Sequence, residues 1–235
     1  MKKAFTTAEL LISLIVIGVI AALVIPVFTK DYNTRIRAAA IKDTYATLMS
    51  AIQRACADKN VTYFSHTGYM GSKASLEEFL KKYLRGKIES AGSSKFNNKY
   101  SSISNPKPSG QGLTDGPKDS SYAYFTMQNG GMLAMTCRDG KLMHFKATSG
   151  YNVPTNEGED TQRYCTFYID TNGRFAPNIG GIDMFTFHIG SYSNNVAIQS
   201  STLCKSSALG ENCVYQLIRN DWNIDNLANE SVLNF

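Results

Sequence analysis

Several signatures of catalysis are absent from this sequence. It has no Gly-x-Ser-x-Gly nucleophile elbow, no phosphate-binding P-loop and no His-Glu-x-x-His motif, so the common hydrolase, nucleotidase and metalloprotease classes find no support. None of the five cysteines forms a Cys-x-x-Cys pair, and the three histidines lie far from them in sequence, which argues against zinc. No Lys/Arg run occurs, and a formal net charge of +5 is too mild to indicate nucleic-acid binding. We therefore expect a protein that is not an enzyme.

Charge is also absent from residues 10–28, where the apolar run is interrupted only by Ser13, Gly18 and Pro26. About 20 apolar residues span a bilayer as a helix, so this run is long enough to cross a membrane. One carboxylate, Glu9, precedes it directly. A charge at the centre of a spanning helix costs about 2.5 to 3.5 kcal/mol and less near the interface, and such a residue indicates function by default. A carboxylate that merely reaches out to the membrane surface is the simpler alternative.

An ordinary secretory signal fits this segment poorly. Such a signal has a short apolar core followed by a small-residue cleavage site, whereas this run is long and ends in Val24-Ile25-Pro26-Val27-Phe28. The plausible cleavage junction lies before the run, between Ala4 and Phe5.

The first 55 or so residues resemble the type IV pilins and the pseudopilins of type II secretion. That family has a short basic leader, a small residue at the cut, a Phe, and a Glu four residues later inside an apolar helix. Lys2-Lys3-Ala4, Phe5-Thr6 and Glu9 match this pattern, and Gly18 and Pro26 stand where the family has helix breakers.

Two positions depart from the family pattern. The family prefers Gly at the cut, where this chain has Ala4, and it has Leu-Ile or Leu-Val where this chain has Thr7-Ala8. Because Ala is small, we expect slower or narrower processing rather than none.

The resemblance implies a set of roles for the N-terminus. A prepilin peptidase would cut after Ala4 and methylate the new amino group of Phe5. In a filament, Glu9 of one subunit would neutralise the Phe5 ammonium of a neighbour, because paired charges are tolerated in low dielectric and isolated ones are not. Phe5 and Glu9 are also four residues apart on one helix, so a pair within one chain is an alternative. Gly18 and Pro26 would belong to the same assembly segment.

The predicted fold class is α+β: a long N-terminal helix packed on an antiparallel sheet, as in type IV pilins. Residues 1–4 would be the leader, 5–28 the transmembrane or filament-core helix, and 29–235 an extracytoplasmic domain. Within that domain we expect helix over 29–57, a loop-rich region over 58–120 and the sheet over 121–235.

Local patterns predict the elements of that domain. Apolar residues at helical spacing over 41–56 extend the first helix, which Pro26 would kink or open. Ser75-Leu76-Glu77-Glu78 reads as a capping box that starts a second helix, ended by Gly86, before a long Gly/Ser/Asn/Pro loop to residue 120. Four or five strands follow; the segments expected to form them are 122–128, 132–137, 141–146, 163–170 and 183–189. Asn129-Gly130-Gly131 and Arg138-Asp139-Gly140 would be hairpin turns. His144 and His188 fall in strand-like runs and are expected to be packed or surface residues.

The cysteines suit an exported domain. Cys204 and Cys213 enclose a short polar loop and are expected to form a local disulfide. Cys137 and Cys165 lie in strand-like runs and could bridge neighbouring strands. Cys56 would then be left over as a small buried apolar residue on a helix.

One loop offers a tentative metal site. Asp170, Asn172 and Asp183 place oxygen atoms around glycine turns, and Ca²⁺ takes six to eight oxygen ligands. A plain hairpin turn explains the Asn-Gly pair more simply, because the Asp-rich remainder and distal Glu of an EF-hand are missing. No cofactor is expected apart from this structural calcium.

These observations predict a structural subunit of a type IV pilus-like filament or a type II secretion pseudopilus. Its implied partners are other pilin-like subunits, a prepilin peptidase, a platform membrane protein and an assembly ATPase, with the chain single-pass in the inner membrane. From a different class, the chain could be a membrane-anchored binding protein that never polymerises, in which Met1–Ala4 would be retained. An exported enzyme is the third alternative.

Overall fold

The computed structural model describes residues 6–89, 99–100, 114–117, 120–140, 162–173, 175, 178–190, 194, 196–197, 210 and 213–222. Residues 26–34 and the short strands near 100, 115 and 196 are described by their backbone alone.

A single helix, α1, runs without a break over Thr7–Asp58, 52 residues or about 78 Å at 1.5 Å per residue. The long N-terminal helix expected from the sequence is confirmed. Its backbone stays helical through Pro26, even though proline cannot donate the usual hydrogen bond to the preceding turn.

The two halves of α1 have different surroundings. Residues 7–25 are exposed with one half-buried exception, whereas from residue 38 onward an apolar stripe is buried at every third or fourth position. The stripe consists of Ala38, Ile41, Leu48, Ala51, Ile52, Ala55 and Cys56. This spacing is that of an amphipathic helix with one face on a core.

The second helix, α2, spans Lys73–Tyr83, and its N-cap is Ser72, whose side chain accepts a hydrogen bond from the backbone N–H of Ser75. The predicted capping box at Ser75 is therefore wrong by one turn. Ser75 lies inside the helix, and its N–H donates to the Ser72 hydroxyl oxygen that caps it. The predicted apolar face is correct, since Leu76, Phe79, Leu80 and Tyr83 are buried. The helix ends with Leu84 as its C-cap rather than at Gly86. Two short 3₁₀ turns, Phe64–Thr67 and Tyr69–Gly71, join α1 to α2.

The described part of the chain after α2 contains eight strands: β1 (Gly86–Glu89), β2 (Lys99–Tyr100), β3 (Thr114–Asp115), β4 (Ala123–Met127), β5 (Met132–Gly140), β6 (Gln162–Asp170), β7 (Met184–Gly190) and β8 (Val196–Ala197). Six of them form one antiparallel sheet in the order β1-β4-β5-β6-β7-β8, and β2 pairs with β3 separately. A last helix, α3 (Cys213–Arg219), packs on β7. The predicted α+β class is confirmed, although β1, β2 and β3 all arise inside the segment expected to be loop.

The two predicted hairpin turns have different outcomes. Residues 129–131 do connect β4 to β5, where the N–H of Met127 donates to the carbonyl of Gly131 over 2.9 Å. The turn predicted at Arg138-Asp139-Gly140 is wrong, because these residues continue β5 and pair with Tyr164, Arg163 and Gln162 of β6. The strand expected over 141–146, and His144 with it, lie outside the described residues.

The core lies between one face of the sheet and the layer formed by α1, α2 and α3. Alternate strand residues enter it, so that Phe167 and Phe187 stack with ring centroids 5.0 Å apart. Tyr45 of α1 meets Phe187 edge-on at 5.9 Å and Trp222 at 5.5 Å. These aromatic contacts fix the long helix to the middle of the sheet.

The disulfide Cys137–Cys165 links directly opposed residues of β5 and β6, which confirms the predicted pair. Cys213 is disulfide-bonded as well, while Cys204, its expected partner, lies outside the described residues. Cys56 is a buried free thiol, and burial raises its pKa.

Core packing predicts that Phe167→Ala lowers the free energy of unfolding by about 3 to 5 kcal/mol, because it removes a fully buried ring and leaves a cavity. Phe175→Ala is the matched control: its side chain is 76% exposed, and the change should stay within about 0.5 kcal/mol. Guanidinium unfolding of the chain in detergent measures both. Equal effects of the two variants would contradict this description of the core.

Candidate functional site

The apolar half of α1 is the strongest candidate site. Thr7–Ile25 is a 19-residue segment apolar and long enough to cross a membrane, and no residue of it is buried inside the protein. At 1.5 Å per residue it is about 28 Å long, close to the roughly 30 Å hydrocarbon core of a bilayer. Twelve large apolar side chains of this segment are each 42–70% exposed. A continuous apolar surface of this size requires a membrane or a partner protein.

The start of this segment is closed by a reciprocal capping box. The N–H and the hydroxyl of Thr6 both donate to Oε2 of Glu9, each over 2.9 Å. In return the N–H of Glu9 donates to the Thr6 hydroxyl over 3.3 Å. One turn later the Ser13 hydroxyl donates to the Glu9 carbonyl over 2.8 Å. The side chains of Thr6, Glu9 and Ser13 therefore each have a partner within this end of the helix.

Glu9 thus has a local structural role that the sequence analysis missed, although Thr6-Thr7-Ala8-Glu9 has the Thr-x-x-Glu spacing of a capping box. Ala4 and Phe5 lie outside the described residues. The assembly roles expected for Glu9, Gly18 and Pro26 concern other subunits and stay predictions. A Cβ added at Gly18 would meet no atom within 4 Å beyond the backbone of its own helix turn, as far as the described residues go, so packing against them does not account for the glycine.

The second candidate is the turn between β6 and β7, where the structure brings Asp170, Asn172 and Asp183 together. Both aspartates are buried. Oδ1 of Asp170 accepts hydrogen bonds from the N–H groups of Asn172, over 3.2 Å, and Gly173, over 2.7 Å. Asp183 accepts from the Ile179 N–H over 2.5 Å and from the Asn172 side-chain amide over 3.0 Å.

This geometry favours the turn over calcium. Three side chains supply only part of the six to eight oxygen ligands that Ca²⁺ takes. Oδ1 of Asp170 and both carboxylate oxygens of Asp183 already accept N–H donors. The described part of the chain contains no group of three or more His, Cys, Asp or Glu side chains able to hold a metal ion. The amide oxygen Oδ1 of Asn172 is buried without a hydrogen bond, so one oxygen of the cluster is unsatisfied.

The turn has unusual electrostatics. Burial, together with the neighbouring charge of Asp170, raises the pKa of Asp183 to about 7 even though the hydrogen bonds from Ile179 and Asn172 oppose the shift.

On the sheet face opposite α1, burial lowers the pKa of His188 to about 4. His188 Nδ1 lies 3.0 Å from the Thr166 hydroxyl, and the Tyr164 ring contacts it edge-on. His188 is therefore a packed strand residue, as the sequence analysis expected.

No protein-family model matches the chain, and no curated protein and no solved structure shows significant similarity to it.

The pKa of Asp183 predicts the pH dependence of Asp183→Asn. Between about pH 4 and pH 7, native Asp183 keeps a proton that the unfolded chain releases. The parent protein therefore loses stability as the pH rises through that window. The stability of Asp183→Asn relative to the parent should therefore increase by about 2 to 3 kcal/mol from pH 5 to pH 8. His188 titrates in both proteins, so its opposite effect cancels in this difference. Guanidinium unfolding at the two pH values measures it, and a difference independent of pH would show that Asp183 is not held protonated.

The hydrogen-bonded turn also predicts that thermal unfolding is the same in 1 mM CaCl₂ and in EDTA. A site with a dissociation constant near 10 µM would instead add about 2.7 kcal/mol at 1 mM calcium, which raises Tm by roughly 5–10 °C for a domain of this size. Magnesium at 1 mM is the control for general ionic effects. A rise specific to calcium would make Asp170, Asn172 and Asp183 metal ligands.

Proposed function

We propose that this chain is a structural subunit of a type IV pilus-like filament or a type II secretion pseudopilus, anchored in the inner membrane until it polymerises through α1. The observation that carries the proposal is the division of α1 into two halves. One continuous helix exposes an apolar segment of membrane length and then packs its second half under an antiparallel sheet. A subunit of this kind needs both halves, one for the membrane or filament core and one to hold its folded domain.

Two further features support the proposal. The disulfide Cys137–Cys165 and the bonded Cys213 are typical of an oxidising compartment, which supports a folded domain outside the cytoplasm. Glu9 is the only ionisable residue of the segment from Thr7 to Ile25, and it lies at the end that would carry the new amino terminus after cleavage behind Ala4.

In the proposed filament, the apolar surface of α1 is buried against neighbouring helices, and this burial supplies the assembly free energy. Glu9 sets the register by pairing with the ammonium of Phe5 on another subunit. The peptidase, the platform protein, the assembly ATPase and the methylation of Phe5 enter this proposal through the family resemblance of the N-terminus.

A membrane-anchored binding protein that never polymerises is the second candidate, because an exposed apolar helix suits a permanent anchor equally well. The two functions differ in their N-terminus. An anchor needs no processing, so Met1 to Ala4 would remain on the mature chain.

The test combines mass spectrometry of the N-terminal peptide from native membranes with a Glu9→Gln strain. Glutamine keeps an oxygen that can accept the Thr6 hydrogen bonds, and it removes only the charge. We expect a mature chain that begins at N-methyl-Phe5 and a loss of at least tenfold in assembled filament for Glu9→Gln, with unchanged amounts in the membrane.

Ser13→Ala is the matched control, since it removes a polar group one turn away and leaves the charge in place. Filament yield should stay within twofold for this variant. An intact Met1, or equal filament yields for the parent and Glu9→Gln, would overturn the proposal and favour the anchored binding protein.

A further inference from the structure

The segment that follows the last turn of α1 has the sequence Asp58-Lys59-Asn60-Val61-Thr62. Asn-x-Ser/Thr with x other than proline is the acceptor sequence for N-linked glycosylation. An acidic residue, Asp58, stands two positions before the asparagine, and we infer that its carboxylate belongs to the sequence that the oligosaccharyltransferase recognises. The chain has one other acceptor triplet, Asn229-Glu230-Ser231, and Leu227 stands two positions before it. The two triplets form an internal comparison.

Asn60 and Thr62 are both exposed in the fold. Asn60 has φ 51°, and the N–H of Val61 donates to the Cys56 carbonyl over 3.0 Å while the N–H of Asn60 donates to the Ala57 carbonyl over 3.1 Å. This is a Schellman motif, which favours Gly or Asn at the left-handed position. Helix termination therefore accounts for an Asn at position 60.

Helix termination does not account for the rest of the acceptor sequence. The hydroxyl of Thr62 has no hydrogen-bond partner in the described part of the chain, and neither has the side-chain amide of Asn60. Only the Thr62 carbonyl is used, as an acceptor for the Asn194 side-chain amide over 2.8 Å. A hydroxyl at position 62 is thus unexplained by the fold and is the group that the transferase requires.

We propose that Asn60 is an N-glycosylation site, modified by a membrane oligosaccharyltransferase from a lipid-linked oligosaccharide pyrophosphate. The Nδ2 of Asn60 forms a bond to the anomeric carbon of the sugar, whose bond to the pyrophosphate oxygen breaks. The lipid pyrophosphate leaves with the bonding electrons, and Nδ2 loses one proton to the medium. The inference rests on export of the domain, which the disulfides indicate, and not on filament assembly.

The fold also indicates when transfer occurs. In the finished domain the backbone around Asn60 is tied to α1 and to Asn194, and Asp58 accepts a hydrogen bond from the Tyr83 hydroxyl over 2.9 Å. Asn60 is also 35 residues beyond Ile25, about 52 Å along the helix from the end of the spanning segment. A membrane enzyme that binds an extended acceptor reaches this asparagine before the helix end and the Asn194 contact form. Modification therefore precedes completion of the fold.

The test is liquid chromatography with electron-transfer mass spectrometry of the peptide that starts at Asn60, from protein isolated from its own cells. We expect a glycan on Asn60 and none on Asn229. Thr62→Ala should lower occupancy at least tenfold, whereas Thr62→Ser should keep at least half of it. Asp58→Asn, which retains an oxygen for Tyr83 and removes the charge, should also lower occupancy at least tenfold.

Unmodified Asn60 in the native protein would overturn the proposal, as would occupancy that does not change in Thr62→Ala. Asn60→Gly, which suits the left-handed backbone, removes the acceptor without straining the helix end and gives the mass of the unmodified protein. The N-terminal peptide of the same sample reports cleavage and methylation of Phe5 independently. Failure of the glycosylation proposal is therefore distinguishable from failure of the proposed function.

Discussion

The rest of this structure depends on α1, a single helix whose first half is exposed and apolar and whose second half packs on the folded domain. In a membrane, lipid would offer no partner for a free N–H or carbonyl, and the apolar segment Thr7–Ile25 meets that requirement because it is helical throughout. The helix continues without interruption to Asp58, and the folded domain packs on its second half. The domain then packs against the one face of α1 that carries an apolar stripe.

Alternate residues of the sheet strands pack toward that stripe. Phe125, Phe167 and Phe187 enter the same core from β4, β6 and β7, and Tyr45 of α1 contacts Phe187 from the helix side. The opposite face carries Thr166 and His188, which are buried as well. Burial, together with the nearby positive charge of Arg138, disfavours the imidazolium form of His188, and this is the origin of its low pKa. The sheet is therefore buried on both faces rather than solvated on one.

The sequence predicted those parts of the fold that local pattern controls. The exposed apolar half of α1, the buried stripe of its second half and the hairpin turn at Asn129-Gly130-Gly131 are each indicated by residues close together in the sequence. The turn predicted at Arg138-Asp139-Gly140 does not form because β6 supplies partners that hold these residues extended, and pairing across the sheet overrides a local turn signal. Ser72 and Ser75 can both cap a helix through their hydroxyl groups. Ser72 is the N-cap of α2 because it directly follows the 3₁₀ turn Tyr69–Gly71, and the local sequence does not show where that turn ends. The pKa of Asp183 has no local sequence signal, since it arises from burial next to Asp170.

The capping box explains how a charge can occupy the start of a membrane-length helix before any partner is present. Thr6 satisfies Oε2 of Glu9 by two hydrogen bonds, and a carboxylate at a helix N-terminus is also favoured by the helix dipole, by about 0.3 to 1 kcal/mol when exposed. Together these effects are comparable to the cost of a charge in a spanning helix, about 2.5 to 3.5 kcal/mol at the helix centre and less near the interface. A subunit waiting in the membrane would thus hold Glu9 in a satisfied state, and pairing with a neighbouring ammonium would replace hydrogen bonds worth only a few kcal/mol. Under the proposed function, the same residue therefore allows both storage as a monomer and assembly into a filament.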